Sequence, residues 1–444
     1  MGPDPFTAVP TSGPGRGGGL SRRQFLALAG GMGAIGAIGG LVGWPRVVDL
    51  VTPPGTAGAT RPSGRTLVLV TLYGGNDGLN TVVPYEDPHY ESARGLLALD
   101  PHTVLPLADG FGLHPQMTGL ERLFREGRLA VVHGVGFANP NYSHFQSMDI
   151  WQSGQTDPTS SGWLGRWLDA TGSDPLRAVA VGPTAPTVLT GERVQGAALP
   201  LGPLVLPGGP TEQSLYRAMA RTGKGEPTLA SLTAASAGDL LTVNDRLGPI
   251  LGRTATANPL HRPTTGTPAS GEASLGIANG GGGLSSPGVL ASQLSLVANL
   301  ILADAPPEVY SVELGGFDTH ADQTPTQDKL LSELDTAVSA FVDAMSTTAR
   351  GKETIVFVYS EFGRRVAGNA SAGSDHGWAN VVLVAGHPVK GGFYGEPPSL
   401  TTLSEGNLVF TTDFRATYAT LLDQVLGVDP RSFLGVSPRP IAFV

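Results

Sequence analysis

Cysteine is absent from all 444 residues. Its absence excludes disulfides, thiolate zinc sites and cysteine nucleophiles, so any metal must be held by imidazole and oxygen. Charge is sparse at 15%, and Lys+Arg 28 against Asp+Glu 37 leave a net charge of -9. No basic block interleaved with aromatics follows residue 65, which argues against nucleic acid as a partner. Glycine (63) and proline (37) are plentiful and imply more loop than an average globular chain carries. The hydrophobic fraction of 40% still describes a folded protein, long enough for one large α/β domain or two smaller ones.

Near the N-terminus, Arg22 and Arg23 of "SRRQFLALAGGMGAIGAIGGLVG" precede an apolar, glycine-rich run. Charge followed by apolarity is the layout of an export signal, and "SRRQFL" resembles a twin-arginine signal. Left uncleaved, residues 25–44 would be an anchor in the bilayer. Ala57 and Ala59 in "TAGATRP" offer a cleavage region, after which no stable membrane anchor is expected. The sequence thus predicts a signal and linker over 1–60 and a single domain over 61–444. The protein is expected to be exported to the cell envelope or beyond, with the twin-arginine export machinery as a partner. The Gly/Pro/Ser/Thr-rich tract "TANPLHRPTTGTPASGEASLGIANGGGG" predicts a flexible insertion near 253–290.

In the body of the chain, "TLVLVTLY" reads as a buried strand stopped by Gly74 and Gly75. "PQMTGLERLFREG" reads as a helix and "LAVVHGV" as a strand. Later, "EVYSVELGG" and "ETIVFVYS" are strands flanking a helix that repeats Leu331, Leu334, Val338, Phe341 and Met345 near one helical turn. This alternation predicts an α/β sandwich. Residues 170–300 are less periodic, with β-like pieces at "AVAVG" and "PTVLTG" and a helix-like "TEQSLYRAMA".

The polar clusters fall after strands, where ligands collect in an open parallel sheet. Asp77, Asp318, His320, Glu361, Asp375 and His376 form a set suited to a divalent metal: zinc, manganese, magnesium or iron. Each also has an ordinary structural role open to it. Asp77 could make an Asx-turn beside Gly78, Asp318 could cap a helix, and Glu361 could pair with Arg364 or Arg365. Asp375 and His376 would share a metal only if "SDHG" is a turn. Ser143 in "NYSHF" could cap a helix or aim a hydroxyl at a substrate, with His144 as base, ligand or packing group. Arg364 could clamp an anionic oxygen, whereas Arg166 reads rather as a structural ion pair. His89, His102, His114, His133 and His261 lack supportive surroundings; His387 is a weaker ligand candidate.

"LYGGNDGLNTVVPY", "HGVGFANPNYSHFQSMDIWQSG", "GWLGR", "GGFDTHADQ", "SEFGRR" and "SDHGWAN" are similar, in order, to the motifs of a bacterial family catalogued as domain of unknown function 1501. Its members resemble the alkaline phosphatase, sulfatase and cofactor-independent phosphoglycerate mutase superfamily. The resemblance implies a three-layer α/β/α sandwich, an alkaline phosphatase-like fold with a metal-bound anion site. It makes Asp77 a metal aspartate, Ser143 the nucleophile, Asp318 and His320 a later metal pair, and His376 the final metal histidine. An alternative alignment would make "SDHG" the earlier pair and His387 the last ligand. One residue separates Asp318 from His320 where the superfamily commonly has three, and "SEFG" stands where it has an aspartate and a histidine. Glu361 could keep a carboxylate ligand there, but Phe362 cannot ligate. The expectation is an exported metal-dependent hydrolase of a phosphate or sulfate ester, its substrate an anionic envelope or glycan molecule. The alternative is a noncatalytic metal-containing envelope or glycan-binding protein.

Overall fold

The computed structural model describes residues 64–201, 206, 209–221, 223, 228–254 and 287–444. The signal-like segment, its cleavage region and His261 lie outside them. Of the expected insertion, residues 253–254 close one helix and 287–290 lead into the next, while 255–286 also lie outside. Among the described residues no helix is long and apolar enough to cross a membrane.

One mixed sheet organises the chain. Its strands are β1 (Thr66–Leu72), β2 (Leu129–Gly136), β3 (Ala178–Val181), β4 (Ala197–Leu199), β5 (Val309–Leu314), β6 (Thr354–Ser360), β7 (Asn380–Gly386), β8 (Gly392–Tyr394) and β9 (Thr412–Asp413). Their spatial order is β8-β2-β7-β6-β1-β5-β3-β4, with β9 also paired to β2. Every pairing is parallel except those of β7, which runs against both β2 and β6.

A parallel sheet must be covered on both faces, so its strands are apolar throughout rather than alternating. All seven residues of β1 are buried, as are all seven of β6. Val68, Val70 and Leu72 enter one core and Leu67 and Leu69 the other, as the two-residue period of a strand requires. The first core is closed by α1 (Thr118–Arg125), α4 (Thr228–Thr254), α5 (Val289–Leu302) and α6 (Gln323–Met345). The second is closed by α2 (His144–Ser153), α3 (Trp163–Thr171) and α7 (Phe414–Thr420), which bring in Trp151, Trp163, Trp167 and Tyr418. The result is the expected three layers.

The α6 pattern behaves as its spacing predicts: Leu331, Leu334, Val338, Phe341 and Met345 are all buried, each worth roughly 1.5–3 kcal/mol. On the same helix Asp335 accepts from the Gly119 and Leu120 amides at 3.0 and 2.7 Å, capping the open N-terminus of α1 where Met117 cannot. "AVAVG" is a strand as expected, whereas "PTVLTG" forms a 3-10 turn, Thr187–Leu189, followed by a single β-bridge from Thr190 to Gln195 rather than a strand.

Candidate metal centre

The parallel strands β1, β5 and β6 end on one edge of the sheet, and their following loops build the site. After β1 the chain turns through Gly74 (φ +114) and Gly75 (φ +74). A Cβ on Gly74 would lie 2.4 Å from the Asp318 amide, and one on Gly75 would lie 2.3 Å from the Phe362 ring. Both the φ values and the close approach require glycine.

Arg364, 2% exposed, ties these loops together. It donates to the carbonyls of Gly75 (2.7 Å), Phe317 (2.8 Å), Ser374 (2.8 Å) and Gly74, and to Asp318 Oδ1 at 2.7 Å. The guanidinium therefore aligns three loops and Asp318, whichever ligand that carboxylate meets.

Three imidazoles gather around Asp318. His376 Nε2 lies 3.1 Å and His320 Nε2 3.0 Å from Oδ1. His144 Nε2 lies 3.4 Å from Oδ2 without forming a hydrogen bond. In each ring the other nitrogen meets an acceptor. His144 Nδ1 is 2.8 Å from Glu361 Oε1, His376 Nδ1 2.7 Å from the Tyr142 carbonyl, and His320 Nδ1 3.3 Å from Asp375 Oδ1. A carbonyl or ionised carboxylate only accepts, so each Nδ1 carries a proton and turns its Nε2 toward the centre. His320 Nε2 and His376 Nε2 are 2.9 Å apart. Two imidazole lone pairs at that distance need a proton or a metal ion between them.

His144, Asp318 and His376 offer ligand atoms that all lie within 4.8 Å of one another. Nitrogen and carboxylate oxygen in this number suit a divalent transition metal, so the residues present fit such an ion. Protons compete for the same atoms. Burial alone would lower the His144 pKa, but Asp318 and Glu361 beside it push it up to about 9. Burial would raise Asp318, yet the histidines and the Arg364 guanidinium hold it well below the usual carboxylate range. Asn369 donates to Asp375 at 3.2 Å and, with His320, lowers its pKa against a little burial.

Asp77 follows the same strand end but is held elsewhere. Its side chain caps the short helix Gly78–Thr81, accepts from Gln323 Nε2 at 2.5 Å and is ion-paired to Arg94, which is 1% exposed. The alternative role of an Asx-type cap is thus its local geometry. Glu361, 0% exposed, reaches neither Arg364 nor Arg365; it accepts from the Gly74 amide and Ser360 Oγ at 2.8 and 2.9 Å and orients His144. Phe362 packs at a tilt against both His144 and His376, ring centres 4.9 and 4.8 Å apart. "SDHG" lies outside regular strand, with His376 in an isolated bridge to Arg364. It sends His376 to Asp318 while Asp375 supports His320.

Ser143 is the N-cap of α2, its Oγ accepting from the Gln146 amide at 3.4 Å. It lies between Tyr142, which holds His376, and His144, which enters the cluster. Arg166 donates to the carbonyls of Ser153, Ser161 and Phe433 at 2.5, 2.7 and 3.0 Å, a structural clamp without a carboxylate. Arg94, Gln323, Ser374 and the Tyr142 carbonyl were not foreseen, and no local pattern marks them. Gln323 lies 246 residues from the aspartate it meets.

A family model described as "Protein of unknown function (DUF1501)" matches residues 266–438. That span holds Asp318, His320, Glu361, Asp375 and His376 and leaves Asp77, Ser143 and His144 outside. No curated protein matches the chain. Among solved structures it is similar to an alkaline phosphatase superfamily protein from Vibrio parahaemolyticus, at 10% identity, covering 88% of this chain and 75% of that one, with a TM-score of 0.36. It is also similar to the phosphonate monoester hydrolase of Agrobacterium radiobacter (12% identity, 84% and 78% covered, TM-score 0.35). A third is the lipoteichoic acid synthase LtaP of Listeria monocytogenes (5% identity, 90% and 80% covered, TM-score 0.34). The geometry above stands without these likenesses.

Proposed function

We propose that this chain is an exported metal-dependent hydrolase of a phosphate or sulfate ester carried on an envelope or glycan molecule. The observation that carries the reading is the convergence of three Nε2 atoms on one carboxylate, each imidazole fixed by an acceptor at Nδ1. His144, Asp318 and His376 are the ligands, with His320 beside His376 as a fourth donor. Zinc or iron suits so many imidazoles better than magnesium does. When bound, the cation would offset negative charge developing on the ester oxygens.

The chain's own groups divide the remaining work. Glu361 and the Tyr142 carbonyl fix ring orientation, so the ligand atoms are in place before any ion arrives. Arg364 holds Asp318 and the loops that carry it. Ser143 presents a hydroxyl at the N-terminus of α2, where backbone N–H groups favour anionic oxygens, and is the nucleophile in this reading. Export rests on the N-terminal sequence pattern.

One observation favours a second reading. Arg94 neutralises the carboxylate of Asp77 and Phe362 brings no ligand, so among the described residues one metal cluster remains where paired metals would need more donors. A noncatalytic metal-containing envelope or glycan-binding protein would need no more. The test is elemental mass spectrometry on the full chain with a screen of phosphate and sulfate esters. Stoichiometric metal, lost in Asp318→Ala/His376→Ala, together with turnover lost in a metal-retaining Ser143→Ala, supports the hydrolase. Metal with saturable polymer binding and no turnover supports the second reading; no metal after reconstitution refutes both.

A further inference from the structure

The α2 side of the sheet does not stay apolar as far as its edge. In β5, Val309 enters the second core and Val312 and Leu314 the first, so the two-residue period of a strand turns Ser311 and Glu313 toward the α2 side. In register beside them stand Leu69 and Thr71 of β1. A strand covered on both faces gains nothing from serine, threonine and glutamate there unless something polar meets them.

What meets them is a cavity of about 310 Å³ that shares no ligand residue with the histidine cluster. Thr71, Tyr73, Ser311 and Glu313 line it from the sheet, Gln152 from α2, and Thr184 from the loop after β3. No lysine, arginine or histidine stands among the described lining residues. The volume is near the lower end of the roughly 300–1,000 Å³ of small-molecule sites, which suits a single ring.

Two hydroxyls in the lining have hydrogen-bonding capacity left. Ser311 is 6% exposed; its Oγ has no hydrogen-bond partner among the described residues, yet it keeps solvent-open surface, and the cavity is where it opens. Tyr73 Oη accepts from Gln152 Nε2 at 3.2 Å, while its own proton meets no acceptor among the described residues. Gln152 is itself fixed, its Oε1 accepting from the Val188 amide at 3.2 Å. Burial, with Tyr359, Glu313 and Glu361 nearby, raises the Tyr73 pKa well above its ordinary value, so the phenol remains a donor. The cavity thus offers a hydroxyl that donates or accepts, a phenol that donates and a carboxylate that accepts.

We propose that this cavity binds one uncharged sugar ring, whose neighbouring hydroxyls exchange hydrogen bonds with Ser311 Oγ, Tyr73 Oη and the Glu313 carboxylate. A sugar suits this mixed set because each of its hydroxyls both donates and accepts. The Glu313 carboxylate disfavours an anion of the same shape. Gln152 lies about 12 Å along the α2 axis from His144, so on the hydrolase reading one glycan would reach both places. The sugar binding itself does not depend on that reading.

The probes are D-glucose, D-galactose and D-mannose, titrated into the full chain and followed by ligand-observed NMR. At least one should bind saturably, with cyclohexanol and tetramethylammonium about tenfold weaker or worse. Ser311→Ala and Tyr73→Phe should each weaken that sugar about fivefold. Folded Asp318→Ala/His376→Ala should bind it as the native chain does, so a chain that holds no metal, and thereby fails the hydrolase reading, still tests the cavity. Absence of saturable binding of all three sugars up to about 50 mM overturns the proposal. So does equal binding of cyclohexanol or tetramethylammonium, affinity unchanged in both Ser311→Ala and Tyr73→Phe, or sugar binding lost together with the metal ligands.

Discussion

His133 makes the protein sensitive to acid by an amount that follows from its burial. In the folded chain its pKa is lowered to about 4 by burial; in the unfolded chain it returns to about 6.5. Between those values the unfolded chain binds a proton that the folded chain does not, so stability falls as pH drops through that window. The contribution is fully present above about pH 6.5 and fully lost below about pH 4. At about 1.4 kcal/mol per pH unit the loss is roughly 3 kcal/mol, a large share of the roughly 5–15 kcal/mol that a folded protein has. His133→Phe keeps an aromatic ring against Phe111 and Phe393 and removes the titration. Urea denaturation at pH 7, 5.5 and 4.5, comparing native chain and variant, isolates the effect from every other carboxylate and histidine. The variant should lose about 2–3 kcal/mol less between pH 7 and 4.5. Identical pH dependence in the two proteins would refute the reasoning, as would a His133 ring resonance that titrates near its ordinary value.

Asp77→Ala leaves the buried Arg94 guanidinium without its carboxylate and should cost about 3–5 kcal/mol in chemical denaturation. Adding Arg94→Met should recover part of that loss. Gly75→Ala drives a methyl group into Phe362 at a φ of +74 and should destabilise by about 1–3 kcal/mol. Gly182→Ala, with nothing within 4 Å, should change the denaturation midpoint far less. Arg166→Gln loses donors to Ser153, Ser161 and Phe433; it should lower thermal stability while leaving metal content unchanged.

Where a segment's environment matches its own pattern, the sequence announces it. The buried strands β1 and β6 are nearly continuous apolar runs, and α6 has one apolar face. By contrast, α5 shows no stripe because ten of its residues, from Val289 to Ile301, are buried, and a helix enclosed on most sides has no period to detect. In α4 an internal Pro249 further disguises 27 helical residues. At the site, Asp318, His320, Glu361, Asp375, His376 and His144 were each visible as candidates, and the fold brings them together. Their pairings were not legible. Asp77 and Asp318 follow equivalent strand ends and each meets a buried arginine, Arg94 or Arg364, yet only Asp318 is also ringed by histidines. His133 looked unremarkable because Phe111 and Phe393 reach it from distant parts of the chain.

Arg364 and Glu361 have a consequence for how the sheet is assembled. Since β1 and β6 are apolar on both faces, sliding either by one residue would exchange one greasy surface for another and expose little. Hydrophobicity alone therefore indexes these strands weakly. The indexing falls to their polar ends, where the Gly74 amide meets Glu361, the Asn76 amide meets Ser360, and Arg364 grips the carbonyls of Gly74 and Gly75. The edge that gathers the histidines is also the one that counts residues across the sheet. Stripping it of polar groups would blur the strand alignment along with the chemistry.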